Sequence, residues 1–213
     1  YQASTSEMFG GDIYPQNENT VFNPRSPYGV AKLFAHNMAR IYRESYTMHI
    51  SCGILFNHES PRRGIEFVTQ KIVQAAKEYL VNGKVLEIGN PYAKRDWSHA
   101  KDMVYGMWLM LQQEKPDDYV MSSNESHSVM EFINKAYGIL GISLTWVDSK
   151  DILPYAIDNR NGKTAVRCIP EFYRPNEVNV LLGNADKARR ILGWDRSYSF
   201  DDLVQDMVKS VHR

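Results

Sequence analysis

Cysteine is scarce in this chain of 213 residues, which has only Cys52 and Cys168. The two are far apart in the sequence and neither belongs to a closely spaced pair. This argues against a disulfide framework and against a cysteine-based zinc site. The six histidines are scattered without the spacing of metal ligands. We therefore predict no metal site.

The chain also lacks an excess of charge of either sign, with 25 basic and 25 acidic residues. A nucleic-acid-binding domain normally carries a basic excess, so we predict no nucleic-acid partner. No apolar run approaches the ~18 to 20 residues of a membrane span, and no signal peptide opens the chain. These absences predict a soluble, cytoplasmic globular protein without a membrane partner.

A glycine-rich phosphate loop is absent as well. The sequence contains neither G-x-G-x-x-G nor G-x-x-G-x-x-G, the patterns that bring a backbone close to a dinucleotide. It begins at Tyr1, without an initiator methionine, inside what reads as a strand. We interpret the sequence as a fragment whose first elements lie outside this numbering.

Strands and helices alternate along the first part of the chain, which predicts an α/β fold with a parallel sheet. The predicted strands are residues 1–4, 49–56, 85–88, 119–121 and 144–147, and the predicted helices are residues 27–46, 66–80, 99–113, 128–141, 185–192 and 199–211. We expect the first long helix to pack through Ala31, Phe34, Ala35, Met38, Ile41 and Tyr42, and the helix at 99–113 through Val104, Met107, Trp108 and Leu111. From 149 to about 170 the pattern predicts a long polar loop.

Tyr28 and Lys32 are the first candidates for chemistry. Residues four apart lie one helical turn from each other on the same face, and an ammonium close to a phenol favours the phenolate. Ser26 is a good N-cap and Pro27 suits the first helical position, so the pair belongs to the opening turns of a helix. The alternative interpretation is a half-buried aromatic residue beside a solvated charge.

Three polar segments are predicted at one edge of the sheet. In an open α/β sheet ligands bind at the carboxyl ends of the strands, where residues 5–7, 28–32 and 57–64 belong. Thr5 has a hydroxyl that can hold a substrate oxygen, and Glu7 has a carboxylate that can move a proton. Together with Tyr28 and Lys32 they suit oxidation of an alcohol coupled to a second proton transfer.

The chain resembles the extended short-chain dehydrogenase/reductase family, and within it the GDP-mannose 4,6-dehydratases, over their carboxyl-terminal two-thirds. The Tyr-x-x-x-Lys pair marks the superfamily, and residues 56–64 are much more specific. The stretches that carry the resemblance are YQASTSE at 1–7, PRSPY at 24–28, GILFNHESPRRG at 53–64, RDW at 95–97 with His99 and Asp102, and YRP at 173–175 with Glu177.

The resemblance implies the carboxyl-terminal half of a Rossmann-like parallel sheet plus a smaller α+β substrate-binding lobe. About residues 1–60 would supply the Rossmann elements and about 61–213 most of the lobe, with the two interleaved. It also implies a homo-oligomer, a dimer or a tetramer.

The activity implied by the resemblance is dehydration of GDP-mannose to GDP-4-dehydro-6-deoxy-mannose, a precursor of GDP-fucose or GDP-rhamnose, with NADP as the cofactor. Tyr28, assisted by Lys32 and Thr5, would take the C4 hydroxyl proton during oxidation. Glu7 would then remove the C5 proton and protonate the leaving C6 hydroxyl. Sugar-nucleotide 4-epimerases usually carry a small or uncharged residue at the position of Glu7.

The resemblance also assigns binding residues. With Tyr28 and Lys32, the NADP contacts would be His58 and Arg63, and the residues that hold the GDP-sugar would be Asn57, Lys71, Arg95, Arg174 and Glu177. Alternatives stay open at several positions. Arg63 with Arg62 suits a solvated loop or a subunit interface, Lys71 an exposed helix, and Arg95 an ion pair with Asp96 or Asp102, whereas His99 suits a helix cap or the core better than catalysis.

Two rival functions remain at this point. One is another nucleotide-sugar 4,6-dehydratase or 4-epimerase, which would use the same oxidation at C4. The other is a truncated, non-catalytic module that binds a nucleotide sugar, because the glycine-rich half of the dinucleotide site is missing from the sequence.

Overall fold

The computed structural model describes residues 1–173 and 178–210, which form two compact units. Each unit is assembled from three separate segments of the chain. The first unit comprises Tyr1–His58, Lys94–Ser126 and Val178–Ser199, and the second comprises Glu59–Ala93, His127–Glu177 and Phe200–Arg213. Neither unit is a continuous stretch of sequence.

Helices and strands alternate over most of the chain. In order, the elements are β1 (Gln2–Thr5), a 3-10 turn (Ser6–Met8), α1 (Pro27–Tyr46), β2 (Cys52–Leu55), β3 (Asn57–Glu59), α2 (Val68–Asn82), β4 (Leu86–Ile88), β5 (Lys94–Arg95), β6 (Trp97–His99), α3 (Ala100–Leu111), β7 (Asp118–Met121), β8 (His127–Ser128), α4 (Val129–Ile139), β9 (Leu144–Ser149), β10 (Ile152–Asp158), β11 (Thr164–Cys168), a 3-10 turn (Pro170–Phe172), α5 (Asp186–Leu192) and α6 (Phe200–Ser210). The predicted α/β fold class is confirmed.

The first unit is built on a parallel sheet in the order β1-β2-β7. Parallel neighbours need crossover connections, and α1 and α3 lie in the sequence between the paired strands. The three strands end at Thr5, Leu55 and Met121, which places these residues at one edge of the sheet. Any polar side chains that follow them share that edge.

Helix α1 begins where the sequence predicts but buries a different face. Ser26 caps it, since its Oγ accepts a hydrogen bond from the Gly29 backbone N at 3.0 Å. The predicted apolar face is wrong: Phe34 is 69% exposed and Ile41 is 51% exposed. His36 is buried instead, and its Nδ1 lies 2.9 Å from the Ser4 Oγ. A polar side chain with a hydrogen-bond partner can face the sheet as well as an apolar one.

Helix α3 also exposes most of the face that we expected to be buried. Val104, Trp108 and Leu111 are exposed, whereas Met103 and Met110 are fully buried. The helix is apolar on more than one side, so the helical period does not select the inner face. The inner face is instead the one that carries Gly106, where the helix backbone comes close to Met121: a Cβ on Gly106 would lie only 2.0 Å from the Met121 Cε.

The second unit contains a mixed sheet in the order β4-β11-β10-β9, in which only β4 and β11 are parallel. The long loop predicted at 149–170 is wrong, because β10 and β11 form an antiparallel hairpin there. Polar residues and Pro154 hid these strands from sequence reasoning. The fully buried Asp158 stabilises the turn between β10 and β11, because it accepts hydrogen bonds from the Arg160 Nε at 3.0 Å and the Asn161 Nδ2 at 3.0 Å.

The helices of the second unit follow their sequence signals more closely. A capping box, which the spacing of Ser128 and Glu131 favours, begins α4: the Ser128 Oγ accepts from the Glu131 N at 3.1 Å and the Glu131 Oε2 accepts from the Ser128 N at 2.7 Å. Helix α2 buries Ile72 and Val73, whereas Leu80 is 46% exposed. Within the portion of the chain that the structure describes, no helix has the length and apolarity needed to traverse a membrane.

Candidate active site

Thr5 and Glu7 lie directly after the carboxyl end of β1. Thr5 caps the 3-10 turn Ser6–Met8, and its Oγ1 accepts a hydrogen bond from the Glu7 backbone N at 3.3 Å. Met8 is fully buried in the core of the first unit, which fixes the turn and leaves Glu7 partly exposed. The hydroxyl and the carboxylate are therefore held on one short, anchored segment.

Tyr28 and Lys32 lie in the first two turns of α1, beside that segment. A Cβ on Gly29 would lie 2.8 Å from the backbone oxygen of Glu7, so the start of the helix touches the turn that carries the carboxylate. The Lys32 Nζ donates a hydrogen bond to the Ala3 backbone oxygen at 3.0 Å and lies 5.8 Å from the centroid of the Tyr28 ring. The structure thus brings the four predicted catalytic residues to one edge of the sheet.

This arrangement supplies complementary groups for acid–base chemistry. Tyr28 is 54% exposed, so its phenol is accessible to a substrate. The Lys32 ammonium supplies positive charge near the Tyr28 phenol. The Glu7 carboxylate, two residues after the end of β1, is a proton acceptor in addition to the phenol. A phenol and a carboxylate can serve two different proton transfers on one substrate.

Asn57 and His58 follow the carboxyl end of β2, at the same edge. The His58 Nδ1 donates to the Phe56 backbone oxygen at 2.9 Å, which fixes the orientation of the ring. The Asn57 Oδ1 is buried and has no hydrogen-bond partner among residues 1–173 and 178–210. Buried acceptors are normally satisfied, so a ligand hydroxyl or amide is a suitable donor for Asn57.

Arg63 and Lys71 belong to the second unit and both lie against aromatic rings. The Arg63 Cζ is 3.4 Å from the centroid of the Phe67 ring, and its Nε is 2.9 Å from the Glu59 Oε2. The Lys71 Nζ lies 3.9 Å from the centroid of the Phe172 ring. Burial lowers the pKa of Lys71, while the charge of Glu87 acts in the opposite direction. Lys71 is therefore partly buried, unlike a plain exposed helix lysine.

Arg95 is held by backbone carbonyls. Its NH1 donates to the Lys94 oxygen at 2.9 Å and to the Val178 oxygen at 2.6 Å. The interpretation of His99 as a helix cap is confirmed, since its Nδ1 accepts from the Lys101 N at 3.1 Å and the side chain is buried. Arg174 and Glu177 lie outside the described residues.

Asp96 has a supporting role that sequence reasoning missed. Its buried carboxylate accepts hydrogen bonds from the Ser123 N and Oγ, both at 2.7 Å, and from the Gly183 N at 3.1 Å. Burial raises the pKa of Asp96 to about 6, and the bonds from Ser123 and Gly183 oppose that rise. The signal in the sequence was the polar pair at 122–123, directly after the predicted strand 119–121. Ser123 shares the edge formed by the ends of β1 and β2.

One cluster of potential metal ligands occurs in the described residues, formed by His36, Cys52 and Asp118, whose ligand atoms lie within 4.8 Å of one another. The Asp118 Oδ1 already accepts a hydrogen bond from the Arg43 NH1 at 3.0 Å. Burial, with the nearby Asp118, raises the pKa of Cys52 to about 12, which disfavours the thiolate that binds metals. We interpret the cluster as a buried charge network.

The whole chain matches a known family. A family model described as GDP-mannose 4,6 dehydratase covers residues 1–207. The chain belongs to this family. It is 49% identical to the GDP-mannose 4,6-dehydratase of Sinorhizobium fredii over 211 residues, which is 98% of this chain and 60% of that protein. The chain spans 60% of the length of the Sinorhizobium fredii protein, 53% of that of the Drosophila melanogaster relative and 39% of that of the Sordaria araneosa relative.

Solved structures of more distant proteins confirm the Rossmann-like fold of this member of the GDP-mannose 4,6-dehydratase family. The protein named RMD from Pseudomonas aeruginosa, complexed with NADPH, matches with a TM-score of 0.81 at 16% identity over 98% of this chain and 64% of that chain. A dTDP-glucose 4,6-dehydratase from Bacillus anthracis, in complex with NAD, matches with a TM-score of 0.79 at 20% identity over 99% of this chain and 60% of that chain.

Proposed function

We propose that this chain carries the catalytic part of an NADP-dependent GDP-mannose 4,6-dehydratase. The observation that carries the proposal is the convergence of Thr5, Glu7, Tyr28 and Lys32 at one edge of the parallel sheet, where the start of α1 touches the turn of Glu7. Membership of the GDP-mannose 4,6-dehydratase family supports this substrate and this reaction.

The residues divide the proton transfers between them. Tyr28, with Lys32 beside it and Thr5 holding the sugar oxygen, takes the proton of the C4 hydroxyl as C4 becomes a ketone. The ketone acidifies C5, and Glu7 takes the C5 proton. Glu7 then gives a proton to the C6 hydroxyl, which leaves as water and yields a C5=C6 double bond. Reduction at C6 and addition of a solvent proton at C5, balanced by release to solvent of the proton that Tyr28 took, would complete the 4-dehydro-6-deoxy sugar.

The residues of this edge fit a nicotinamide dinucleotide. When bound, that cofactor accepts hydride from C4 and returns it to C6, so the overall reaction is redox-neutral. Tyr28, Lys32 and His58 at this edge would hold it. The family resemblance adds Arg63, a residue of the second unit, and cationic side chains suit the phosphates and ribose hydroxyls of the cofactor. The phenol of Tyr28 is exposed and the ammonium of Lys32 lies near its ring, so both groups are accessible to the dinucleotide. A glycine-rich phosphate cradle is not part of this sequence.

The nucleotide part of the substrate would be held by cationic and amide side chains. Asn57 has a buried acceptor that needs a donor, and Arg95 is fixed by two backbone carbonyls. Lys71, held against Phe172, supplies a cation for the pyrophosphate. Arg174 and Glu177 complete the proposed set.

Incubation of this polypeptide with GDP-mannose and NADP tests the proposal directly. We expect a product whose mass is lower by one water, detected by mass spectrometry, and no such product from the Tyr28→Phe variant. UDP- and dTDP-hexoses serve as competing substrates. A change of sugar configuration without mass loss would support an epimerase. If the polypeptide binds GDP but neither turns over the substrate nor binds NADP, the non-catalytic module is supported.

We also propose that the chain forms a homo-oligomer, a dimer or a tetramer. Helices α1 and α3, both in the first unit, expose large apolar side chains, which include Phe34, Ile41 and Trp108. Exposed apolar groups of this size are typical of surfaces that bind another protein.

Light scattering is expected to give the mass of at least two chains, and Phe34→Ser combined with Trp108→Ser should reduce that mass. Val81→Ser, at an exposed position of α2, is the matched control; a monomeric unmodified protein would contradict the proposal.

A further inference from the structure

Glu59 is a buried carboxylate that the proposed mechanism does not use. Its residue is only 2% exposed, and its Oε2 accepts a hydrogen bond from the Thr69 Oγ1 at 2.8 Å. The same oxygen lies 2.9 Å from the Arg63 Nε, in an ion pair rather than a directed hydrogen bond. Glu59 therefore links the start of the 59–67 segment to its arginine and to the first turn of α2.

Arg63 is constrained from two further directions. Its guanidinium carbon is 3.4 Å from the centroid of the Phe67 ring, a close cation–π contact. Its backbone N donates to the Ser60 oxygen at 3.0 Å. Arg63 nevertheless keeps 28% of its side chain exposed, although its Nε is buried, so the side chain as a whole is within reach of a ligand. A long, flexible side chain is thus held in one place with a reachable end.

We propose that Glu59 is the positioning residue of Arg63: its buried carboxylate orders the guanidinium so that the exposed end is ready for an anionic group of the dinucleotide. The cofactor part of this inference rests on the proposed function. An arginine that is already ordered loses less rotamer freedom when it binds a phosphate, which improves affinity.

The charge on Glu59 lowers stability, which favours a role in binding over a role in the scaffold. Burial raises the pKa of Glu59 from 4.5 to about 7, although Arg63 and Thr69 both act to lower it. Between these two pH values the folded chain keeps a proton that the unfolded chain has lost, so Glu59 makes stability fall as pH rises to about 7.

Chemical modification of arginine measures the position of Arg63 without any cofactor. The polypeptide is treated with phenylglyoxal at pH 8, and the modified arginines are quantified by peptide mass spectrometry. Arg62, which is exposed, is the internal reference. We expect Arg63 to react much more slowly than Arg62 in the unmodified protein. We expect Glu59→Gln to raise the Arg63 rate roughly tenfold, the order of effect when an interaction with one charged partner is lost.

Two variants separate positioning from a general loss of structure. Glu66→Gln removes an exposed carboxylate from the same segment and should leave the Arg63 rate unchanged. Glu59→Asp keeps the charge and should restore most of the protection of Arg63. An unchanged Arg63 rate in a natively folded Glu59→Gln protein would overturn the inference, and so would an equal effect of Glu66→Gln.

Dinucleotide binding is measured separately on the same proteins by titration with NADPH. A roughly tenfold weaker affinity in Glu59→Gln, restored in Glu59→Asp, supports the full inference. If Arg63 becomes reactive in Glu59→Gln while NADPH affinity stays unchanged, Glu59 still positions Arg63, but the proposed contact of Arg63 with the cofactor is wrong. The two failures are therefore distinguishable.

Discussion

Glu7→Gln is expected to reduce turnover of GDP-mannose by about 1,000-fold, within the range of losses when a general acid–base group is removed. Glutamine has nearly the same shape but neither accepts the C5 proton nor donates one to the leaving C6 hydroxyl. Glu7 lies on a turn anchored by the buried Met8, so the substitution should not move its neighbours. The rate of product formation and the affinity for NADP, which should stay unchanged, are the two measurements.

Exchange of the C5 hydrogen with heavy water identifies the step that is lost. Unmodified protein should incorporate deuterium from solvent at C5 of the sugar, whereas Glu7→Gln should not. Glu44→Gln, which removes an exposed carboxylate from α1, is the control for the loss of one charge. A Glu7→Gln rate within tenfold of the unmodified protein would contradict the proposed role of Glu7.

Trp194→Ala is expected to lower the free energy of unfolding by about 3 to 5 kcal/mol, the usual cost of truncating a buried tryptophan. Trp194 is fully buried and packs in the core with Met103, Met110 and Met121. Its Nε1 donates to the Asp102 backbone oxygen at 2.8 Å. The substitution leaves both a cavity and an unpaired carbonyl, and the whole stability of a domain is only about 5 to 15 kcal/mol.

Urea denaturation followed by circular dichroism measures this loss. Trp194→Phe keeps most of the apolar volume and should cost less than the alanine variant, although it also removes the hydrogen bond to Asp102. Ile191→Ala, at an exposed position of α5, should change the free energy of unfolding by less than about 0.5 kcal/mol. A loss of under about 1 kcal/mol for Trp194→Ala would show that the core repacks around the site.

Local chemistry in the sequence was enough to predict the start of α1. Ser26 and Pro27 define the first turn of α1 through steric and hydrogen-bond effects that need no tertiary information. The meeting of residues 5–7 with 28–32 also followed from general geometry, since parallel strands end at one edge and helices begin there. The capping box at Ser128 and Glu131 belongs to the same class of local signal.

Packing choices were not predictable, for physical reasons that the residues make clear. Phe34 fits the helical period of α1 but faces outward, because His36 has a hydrogen-bond partner inside. Trp108 fits the period of α3 but faces outward, because Gly106 allows close contact on another side of that helix. The β10–β11 hairpin was missed because Pro154 and the polar residues of this stretch obscure the alternation of its strands, although the hydrogen bonds of Asp158 in its turn are local. Glu59 was missed because burial of a carboxylate depends on tertiary structure.

The division of each unit into separate chain segments has a consequence for synthesis. Ribosomes release the amino terminus first, so Thr5, Glu7 and Tyr28 emerge long before Trp194. Yet Trp194 fills the core against the sheet whose edge carries those candidate residues. The nascent chain must therefore wait for its last segments before the reacting groups acquire a fixed geometry, and such contacts between distant residues slow folding. The candidate site is thus completed late in synthesis.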